Sequence, residues 1–147
     1  MKSYRRTSAV LQEIERLLSA GRPSFHHSPL EDVADVLTSG RHYNWVGIYL
    51  TLDKNASSAL QESGAHPAHV AMPGTVEKIV VSIKIAGREL GFLAVESEHH
   101  HAFGAEDRVL LERVAGLLAR FLSGRGKYLV LKARSGGTTR KAAAASR

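Results

Sequence analysis

The stretch from Val76 to Glu98, VEKIVVSIKIAGRELGFLAVESE, contains two apolar segments separated by a short polar turn. From Val76 to Ile85 apolar and polar side chains alternate, which is the period of a β-strand with one buried face. The segment from Leu90 to Glu98 is also rich in apolar residues, and a tight turn at Gly87-Arg88 would connect the two segments. The stretch therefore predicts a β-hairpin at the centre of the fold.

The register of this hairpin decides which side chains share a face. With the turn at Gly87-Arg88, the expected cross-strand pairs are Ile85 with Leu90, Ile83 with Phe92 and Val81 with Ala94. These pairs form a continuous apolar surface, on which we expect helices to pack. The opposite face then combines Val80, Ser82, Lys84, Gly91, Leu93 and Val95. Because apolar and polar side chains are mixed there, that face is typical of a ligand-facing or half-solvated surface.

Three amphipathic helices are predicted around the hairpin. Two precede it, from Ser8 to Ala20 and from Ser28 to Gly40, and the third runs from about Ala105 to Leu122. In each helix apolar residues recur at helical spacing and leave a polar opposite side. The second helix has Ser28 as its expected N-cap and Glu31 in the position of a capping box.

A further strand is predicted from Asn44 to Leu52, where aromatic and β-branched residues dominate. Its alternation puts Trp45, Gly47 and Tyr49 on one face and Val46, Ile48 and Leu50 on the other. A short strand is expected from Ser58 to Glu62, followed by a loop from Ser63 to Gly74 that is rich in glycine, proline and histidine. Together with the hairpin, these segments predict an antiparallel sheet.

The composition excludes several classes of protein. Of the 147 residues 44% are hydrophobic, an ordinary value for a globular chain with a core. No apolar run approaches the roughly 18 residues of a membrane span. The basic segment from Met1 to Arg6 is followed by an amphipathic helix, not by the apolar region of a signal peptide. We therefore expect a cytoplasmic protein that does not bind membranes.

The net charge of +6 is unevenly distributed along the chain. Residues Met1 to Gly124 contain 13 Lys and Arg and all 14 Asp and Glu, so this part carries −1. Residues Arg125 to Arg147 contain the other 7 Lys and Arg and no acidic residue, so they carry +7. We expect a folded domain over residues 1–124 and a basic, disordered tail over residues 125–147.

Several segments resemble GAF domains, in particular those of the free methionine-R-sulfoxide reductase type. The matching segments are Asn44-Trp45-Val46-Gly47-Ile48-Tyr49-Leu50, Ile79-Val80-Val81-Ser82-Ile83, Arg88-Glu89-Leu90-Gly91-Phe92-Leu93-Ala94-Val95, and Phe103 with Asp107, Leu110 and Leu111. The resemblance covers roughly residues 11–122. It implies an α+β fold, a GAF-like antiparallel sheet with N- and C-terminal helices packed on one face.

The chain departs from this family in two respects. The stretch from Ser63 to Thr75 is short for the segment that walls the ligand pocket of GAF domains. The redox cysteines of the sulfoxide reductases lie in that segment, and this chain contains no cysteine at all. Because a thiol mechanism needs a sulfur nucleophile, we predict a regulatory or sensory module that is not an enzyme, with no catalytic residues and no cofactor.

The residues expected to bind a small-molecule ligand lie on the mixed face of the sheet. They are Trp45, Tyr49, Val80, Ser82, Leu93 and Val95. Apolar and aromatic walls with a few polar groups are typical of small-molecule sites. In the alternative interpretation, the loop from Ser63 to Thr75 or a partner subunit packs this face, and the chain is an interaction scaffold without a ligand.

Two further groups of side chains carry chemistry in other proteins. The eight histidines include the run His99-His100-His101, but consecutive side chains of an extended segment point to opposite sides, so no metal site is predicted. Glu96 and Glu98 share one face of their strand, with Glu62 nearby. Strand-end glutamates without a neighbouring nucleophile are usually solvated, so no catalytic pair is predicted.

A homodimer is the expected macromolecular assembly, and nucleic acid is an alternative partner. The resemblance implies a homodimer through the first and last helices, which small and apolar residues of the last helix would support. These residues are Val109, Leu111, Ala115, Gly116 and Ala119. In the alternative, Val109 and Leu111 only widen the core face. The basic tail can bind nucleic acid by charge alone, so a nucleic-acid accessory protein is a third interpretation of the function.

Overall fold

The computed structural model describes residues 5–20, 28–41, 43–64, 77–97 and 103–136 of the chain. In chain order, the helices and strands are α1 (Thr7–Ala20), α2 (Pro29–Gly40), β1 (Trp45–Asp53), β2 (Ala56–Gly64), β3 (Glu77–Ile85), β4 (Arg88–Ser97), α3 (Ala105–Ser123) and α4 (Lys127–Gly136). Every helix and strand predicted from the sequence is present, and α4 is an addition.

The four strands form one antiparallel sheet in the order β2-β1-β4-β3. Helix α2 packs against β1 and β2, α3 packs against β3 and β4, and α1 packs on α2 and α3. Helix α4 lies against α3, β1 and β2. The predicted α+β fold is therefore confirmed. We call the side of the sheet that packs on the helices the core face, and the opposite side the outer face.

The core face of β1 carries Val46, Ile48 and Leu50, all fully buried. They belong to one hydrophobic cluster to which each helix contributes. The contributions of the helices include Ile14, Leu30, Leu110 and Val130. Burial of an apolar side chain of this size contributes roughly 1.5–3 kcal/mol, so this cluster dominates the stability of the fold. It also fixes β1 so that Trp45 and Tyr49 point to the outer face.

The turn of the β3–β4 hairpin lies one residue earlier than predicted. Its central residues are Ala86 and Gly87, whose φ angles are +52° and +79°, and Ile85 pairs with Arg88 across it. Two-residue turns with positive φ at both positions match the right-handed twist of antiparallel strands. The predicted turn at Gly87-Arg88 is therefore wrong by one residue.

A β-bulge at Leu90 sets the register of the rest of the hairpin. Lys84 pairs with Glu89 and Ile83 with Gly91, so Leu90 is the extra residue of β4. Beyond the bulge, Val81 pairs with Leu93 and Ile79 with Val95. A shift of one residue moves every side chain of a strand to the other face. The predicted pairing is wrong for this reason.

A buried ion pair joins the chain before β1 to the first turn of α3. Nη2 of Arg41 lies 2.8 Å from Oδ1 of Asp107, and the Tyr43 hydroxyl donates to the same oxygen at 2.6 Å. Oδ2 of Asp107 accepts from the backbone N–H of Gly104 at 3.0 Å and so caps α3. Arg41 also donates to the backbone carbonyl of Arg5 at 3.3 Å. The Arg41–Asp107 pair thereby joins three segments: the chain before β1, the start of α3 and the chain before α1.

Regular structure continues beyond Gly124, where the predicted domain ends. The backbone N–H of Gly126 donates to the carbonyl of Phe121 at 2.7 Å, and α4 begins one residue later. Val130 of α4 is only 4% exposed and joins the hydrophobic cluster. The short apolar patch from Tyr128 to Leu131 is enough to dock a helix, although the segment around it is basic. Residues 137–147 of the predicted tail lie outside the described residues.

Candidate ligand-binding site

Four of the six residues predicted to bind a ligand share the outer face of the sheet. They are Trp45, Tyr49, Val80 and Ser82. The other two, Leu93 and Val95, are fully buried in the hydrophobic cluster on the core face. The bulge at Leu90 separates the two groups, because it reverses the faces of β4 relative to the prediction. In their place, β4 presents Phe92, Ala94 and Glu96 to the outer face.

Tyr49 connects three strands on the outer face. Its ring stacks on that of Phe92, with centroids 4.9 Å apart and planes inclined by 21°. Its hydroxyl donates a hydrogen bond of 2.7 Å to Oε2 of Glu62 on β2. An aromatic pair of this kind contributes about 0.5–1.5 kcal/mol beyond the area that it buries. The phenol is therefore held in one place and one orientation.

The surroundings of Tyr49 keep its phenol protonated. Burial, followed by the hydrogen bond to the Glu62 carboxylate, raises the pKa of Tyr49 well above its usual value. A hydrogen bond with Trp45 lowers this pKa, and the charge of Glu96 raises it further. Trp45 and Glu96 therefore both lie close enough to Tyr49 to act on it, and at neutral pH the phenol is a donor.

Gly47 provides the space that the Tyr49 ring occupies. A Cβ atom at position 47 would overlap the hydroxyl oxygen and the ring carbons of Tyr49. A larger residue would therefore push the ring away from Phe92. The alternation of Trp45, Gly47 and Tyr49 along β1 thus has a steric reason. The Tyr49 ring lies over Gly47, and Trp45 lies on the same face beyond the glycine.

Glu89 binds two hydroxyl groups at the hairpin end of the outer face. Its carboxylate accepts from Oγ1 of Thr51 and from Oγ of Ser82, both at 3.0 Å. Thr51 lies on β1 and Ser82 on β3, so this carboxylate bridges the strands on both sides of β4. The predicted site residue Ser82 is therefore already engaged by a neighbouring side chain.

Glu96 lies at the other end of the outer face and is only 4% exposed. It pairs with Trp45 across β1 and β4. The prediction that these strand-end glutamates are solvated is wrong for Glu96. A carboxylate that has lost most of its water interacts more strongly with a nearby positive charge than one in bulk solvent.

Sequence reasoning missed Phe92 and the part played by Glu62, Glu89 and Glu96. The signal that could have found Phe92 is Gly91, where a Cβ atom would overlap the backbone carbonyl oxygen of Tyr49. A glycine inside a strand often marks a bulge or a close approach of two backbones. A bulge placed here would have turned Phe92 to the outer face and Leu93 to the core.

Several predicted features lie outside the described residues. The loop expected beside the outer face falls largely on residues 65–76, and all eight histidines and Glu98 also lie outside. Among the residues that the structure describes, no group of three or more His, Asp or Glu side chains is placed to hold a metal ion. The absence of a metal site in the whole chain stays a prediction. Within the same residues, no helix has the length and apolar character needed to cross a membrane.

The residues predicted to support a homodimer divide into two groups. Leu111 is fully buried, and Ala115 and Ala119 are 4% and 2% exposed, so these three belong to the core. Val109 is 47% exposed and Gly116 is also exposed. Only the second group is available to a partner, and Leu111 widens the core face as the alternative interpretation stated.

A groove runs between α1 and α3. It contains two adjoining cavities of about 320 and 370 Å³, which share Glu15, Leu117 and Arg120. The remaining lining residues are Leu11, Gln12, Leu18, Ser19, Arg113, Gly116, Phe121, Gly124 and Arg125. The groove therefore has an apolar floor with charges of both signs at its edges.

Solved structures of other proteins share this architecture. The fRMsr of Staphylococcus aureus, in complex with substrate, has 18% identity and a TM-score of 0.64, over 83% of this chain and 99% of its own. Free methionine-R-sulfoxide reductase from Neisseria meningitidis, in complex with its substrate, has 22% identity and a TM-score of 0.64, over 84% and 95%. The GAF domain of a phosphoenolpyruvate-protein phosphotransferase from Coxiella burnetii has 14% identity and a TM-score of 0.62, over 90% and 96%.

The chain therefore has the GAF fold, as the resemblance implied. No protein-family model matches the sequence, and no curated protein matches it. Two of the structures just described are reductases, and this contradicts the prediction that the chain is not an enzyme. The corrected statement is that the fold of this chain occurs both in reductases and in a GAF domain of a phosphotransferase.

Proposed function

We propose that this chain binds a small molecule with an ammonium group on the outer face of the sheet, and that it works as a sensory or regulatory module. The observation that carries the proposal is the group formed by the stacked Tyr49 and Phe92 rings with Trp45 and the buried carboxylate of Glu96. Residence in the cytoplasm stays a prediction from the sequence.

The chemistry of the outer face favours a cation over an anion. Aromatic ring faces attract an ammonium group within about 6 Å, tryptophan most strongly. A carboxylate such as that of Glu96 adds a charge-assisted hydrogen bond, which is about twice as strong as a neutral one. Val80, 48% exposed on β3, offers an apolar surface for the rest of the ligand.

The similar structures suggest which small molecule to try first. Two are described as complexes with their substrate, and one of these is a free methionine-R-sulfoxide reductase. Free methionine sulfoxide carries an ammonium group and a carboxylate on its α-carbon, and its side chain is short and flexible. Its size and its ammonium group suit a face with one buried carboxylate and three aromatic rings.

Thermal unfolding of the full chain tests the proposal. The compounds are free methionine-R-sulfoxide, free methionine, and N-acetylmethionine sulfoxide as a matched control without the positive charge. A ligand at about 100 times its Kd stabilises the native state by roughly 2.7 kcal/mol. We expect the free amino acids to raise Tm and the acetylated compound to leave it unchanged. No shift with any compound, or an equal shift with the control, would contradict the proposal; assay of the same samples for methionine reports any conversion.

Substitution of Glu96 tests the same site by a change in the protein, not in the ligand. We expect Glu96→Gln to weaken binding of the free amino acid at least about tenfold, because it removes the charge that faces the ammonium group. Glu112→Gln is the matched control, since Glu112 is an exposed glutamate on α3. Calorimetric titration of both variants, after circular dichroism has established that they fold, measures the difference.

We further infer that two copies associate through the α1–α3 groove. In a two-fold interface residue i of one copy contacts residue j of the other and the reverse. Glu15 and Arg120 line both cavities of the groove. In a two-fold dimer Glu15 of each copy can therefore pair with Arg120 of the other copy. Leu117 between them supplies an apolar surface, and Gly116 allows a second helix to approach closely.

Charge reversal tests this association. Light scattering after size exclusion is expected to give a dimer for the unaltered chain and a monomer for Glu15→Arg. The double variant Glu15→Arg with Arg120→Glu exchanges the two charges and should restore the dimer. Asp35→Arg on the exposed side of α2 is the control and should leave the dimer intact. A monomeric unaltered chain would exclude the interface.

A further inference from the structure

Helix α4 gives part of the basic segment that follows Gly124 a fixed place on the molecule. Its three basic residues, Lys127, Lys132 and Arg134, are all exposed. Their side chains form no hydrogen bond and no ion pair with any other residue that the structure describes. Their charge is therefore uncompensated within the described part of the chain. Residues 137–147 add three more basic residues and no acidic one.

The position of α4 decides which kind of polyanion this charge can bind. A helix that lies in a membrane surface needs an apolar side free to enter the lipid. The apolar side of α4 is already used, because Val130 is buried in the hydrophobic cluster and Leu129 packs against it. Leu131 is exposed, but a single leucine is not an anchor. A hydrophilic polyanion therefore fits better than a membrane.

The distance between two of the charges along α4 is close to three phosphate repeats of a duplex. Lys127 and Arg134 lie seven positions apart on α4, or about 10 Å along the helix axis. Phosphates of one B-form strand follow one another at about 3.4 Å along the duplex axis, so with α4 parallel to that axis Lys127 and Arg134 lie roughly three phosphates apart. Single strands are usually bound by aromatic side chains that stack on bases. Tyr128 is the one aromatic residue of α4 and is half-buried, which favours a duplex.

We propose that the three exposed basic residues of α4 bind the phosphate backbone of double-stranded nucleic acid without reading its sequence. Lys127, Lys132 and Arg134 each neutralise a phosphate and release the counterions condensed there. Binding of this kind weakens steeply with salt, because the released ions return to the duplex as their concentration rises. This surface is separate from the outer face, so its test does not depend on the proposed function.

Fluorescence anisotropy with the full chain and a labelled DNA duplex of random sequence tests the proposal at several salt concentrations. The variant combines Lys127→Gln, Lys132→Gln and Arg134→Gln. The control combines Lys54→Gln, Lys84→Gln and Arg88→Gln, which removes the same charge from exposed residues near the two β-turns. All six side chains are exposed, so both proteins are expected to fold, and circular dichroism checks this.

We expect the α4 variant to bind at least about tenfold more weakly at low salt, and its plot of log Kobs against log salt to lose roughly 0.9 in slope per phosphate contact, or about 3 in all. The control is expected to bind like the unaltered chain. Equal weakening by both variants, or no binding by the unaltered chain at low salt, would overturn the proposal. Tighter binding to a single strand of the same length, or binding to phosphatidylserine vesicles in place of the duplex, would overturn it as well.

Discussion

A methyl group added at position 47 would overlap the ring of Tyr49, whereas one added at position 91 would overlap the backbone carbonyl oxygen of that same tyrosine. The first clash can be relieved by a side-chain rotation that leaves the sheet in place. The second cannot, because β1 and β4 would have to separate. The two glycines therefore have different roles, one in the candidate site and one in the sheet.

These roles predict different outcomes for the same substitution. Gly47→Ala should lower the free energy of unfolding by about 1 kcal/mol and abolish ligand binding, since the Tyr49 ring leaves its stack on Phe92. Gly91→Ala should cost about 3 kcal/mol or more, because it strains the centre of the sheet. Urea unfolding followed by the fluorescence of Trp45 measures both. Equal destabilisation by the two substitutions would contradict the assignment.

The phenol of Tyr49 predicts a pH dependence of stability. Its pKa is raised in the folded state, chiefly by burial. The stabilisation is therefore complete below the unfolded tyrosine pKa of about 10, and it is lost as the pH rises toward the higher folded value. Denaturant titrations should show that stability above pH ~10 falls more steeply for the unaltered chain than for Tyr49→Phe. A matched control, Tyr128→Phe on α4, should keep the steep fall.

The buried Arg41–Asp107 pair predicts a large effect of a nearly isosteric substitution. Asp107→Asn keeps the shape of the side chain but leaves the Arg41 guanidinium buried without its counter-charge. Removal of one partner of a buried pair typically costs about 3–5 kcal/mol. Glu112→Gln breaks an exposed pair on the same helix and should change stability by less than about 1 kcal/mol. A loss below about 1 kcal/mol for Asp107→Asn would show that the network contributes little.

At the level of elements, the β3–β4 turn contains a residue with a strained backbone that a substitution can relieve. Ala86 has a φ of +52°, a conformation that alanine adopts reluctantly and asparagine or glycine more readily. Ala86→Asn should therefore raise the free energy of unfolding by about 0.5–1 kcal/mol. Gly87→Ala is the reciprocal change and should lower the free energy of unfolding by a similar amount. The φ of +79° at Gly87 strains an alanine, although no neighbouring atom would contact its Cβ. Thermal unfolding of both variants checks the sign.

How far the sequence could predict each element depended on contrast between its two faces. β1 and β3 were predicted with their faces correct, because the aliphatic residues of one side alternate with a different kind of residue on the other: aromatic residues and glycine in β1, and largely polar residues in β3. From Leu90 to Val95 both faces are apolar, so alternation could not show that the bulge adds a residue. The predicted site inherited this error: Trp45 and Tyr49 lie on the outer face, whereas Leu93 and Val95 lie in the core.

The carboxylates of the candidate site could not be predicted for a different reason. Whether a glutamate is buried depends on what the neighbouring strands and loops place around it, and Glu96 and Glu62 come from different parts of the chain. Helix α4 escaped prediction because its apolar patch is short. Four residues give too little periodicity to define a helix, yet Val130 alone reaches the core.

At the scale of the whole molecule, the packing of α4 on the core predicts that the folded unit includes this helix. A chain truncated after Gly124 loses Val130 from the cluster and exposes the surface beneath it, at a cost of roughly 2–4 kcal/mol. A chain truncated after Gly136 keeps α4 and should be as stable as the full chain. Equal stability of all three proteins in urea would instead support a domain that ends at Gly124.

The three surfaces discussed above are separate on the molecule. The outer face is formed by the sheet, the groove by α1 and α3, and the basic surface by α4. No side chain assigned to one is assigned to another, so substitutions in one can be combined with those in another. Double variants should therefore show additive effects, and departure from additivity would reveal communication between a ligand and a partner.

The extra residue at Leu90 determines how this chain can change in length. Its removal would leave Gly91 opposite Ile83 with each later side chain on its present face, at the cost of the packing that Leu90 provides. A deletion between Phe92 and Glu96 would instead move each later side chain of β4 from the core face to the outer face, or the reverse. In an alignment of relatives, a gap at position 90 is thus compatible with the same architecture. A gap a few residues later would indicate a protein whose outer face is built from different side chains.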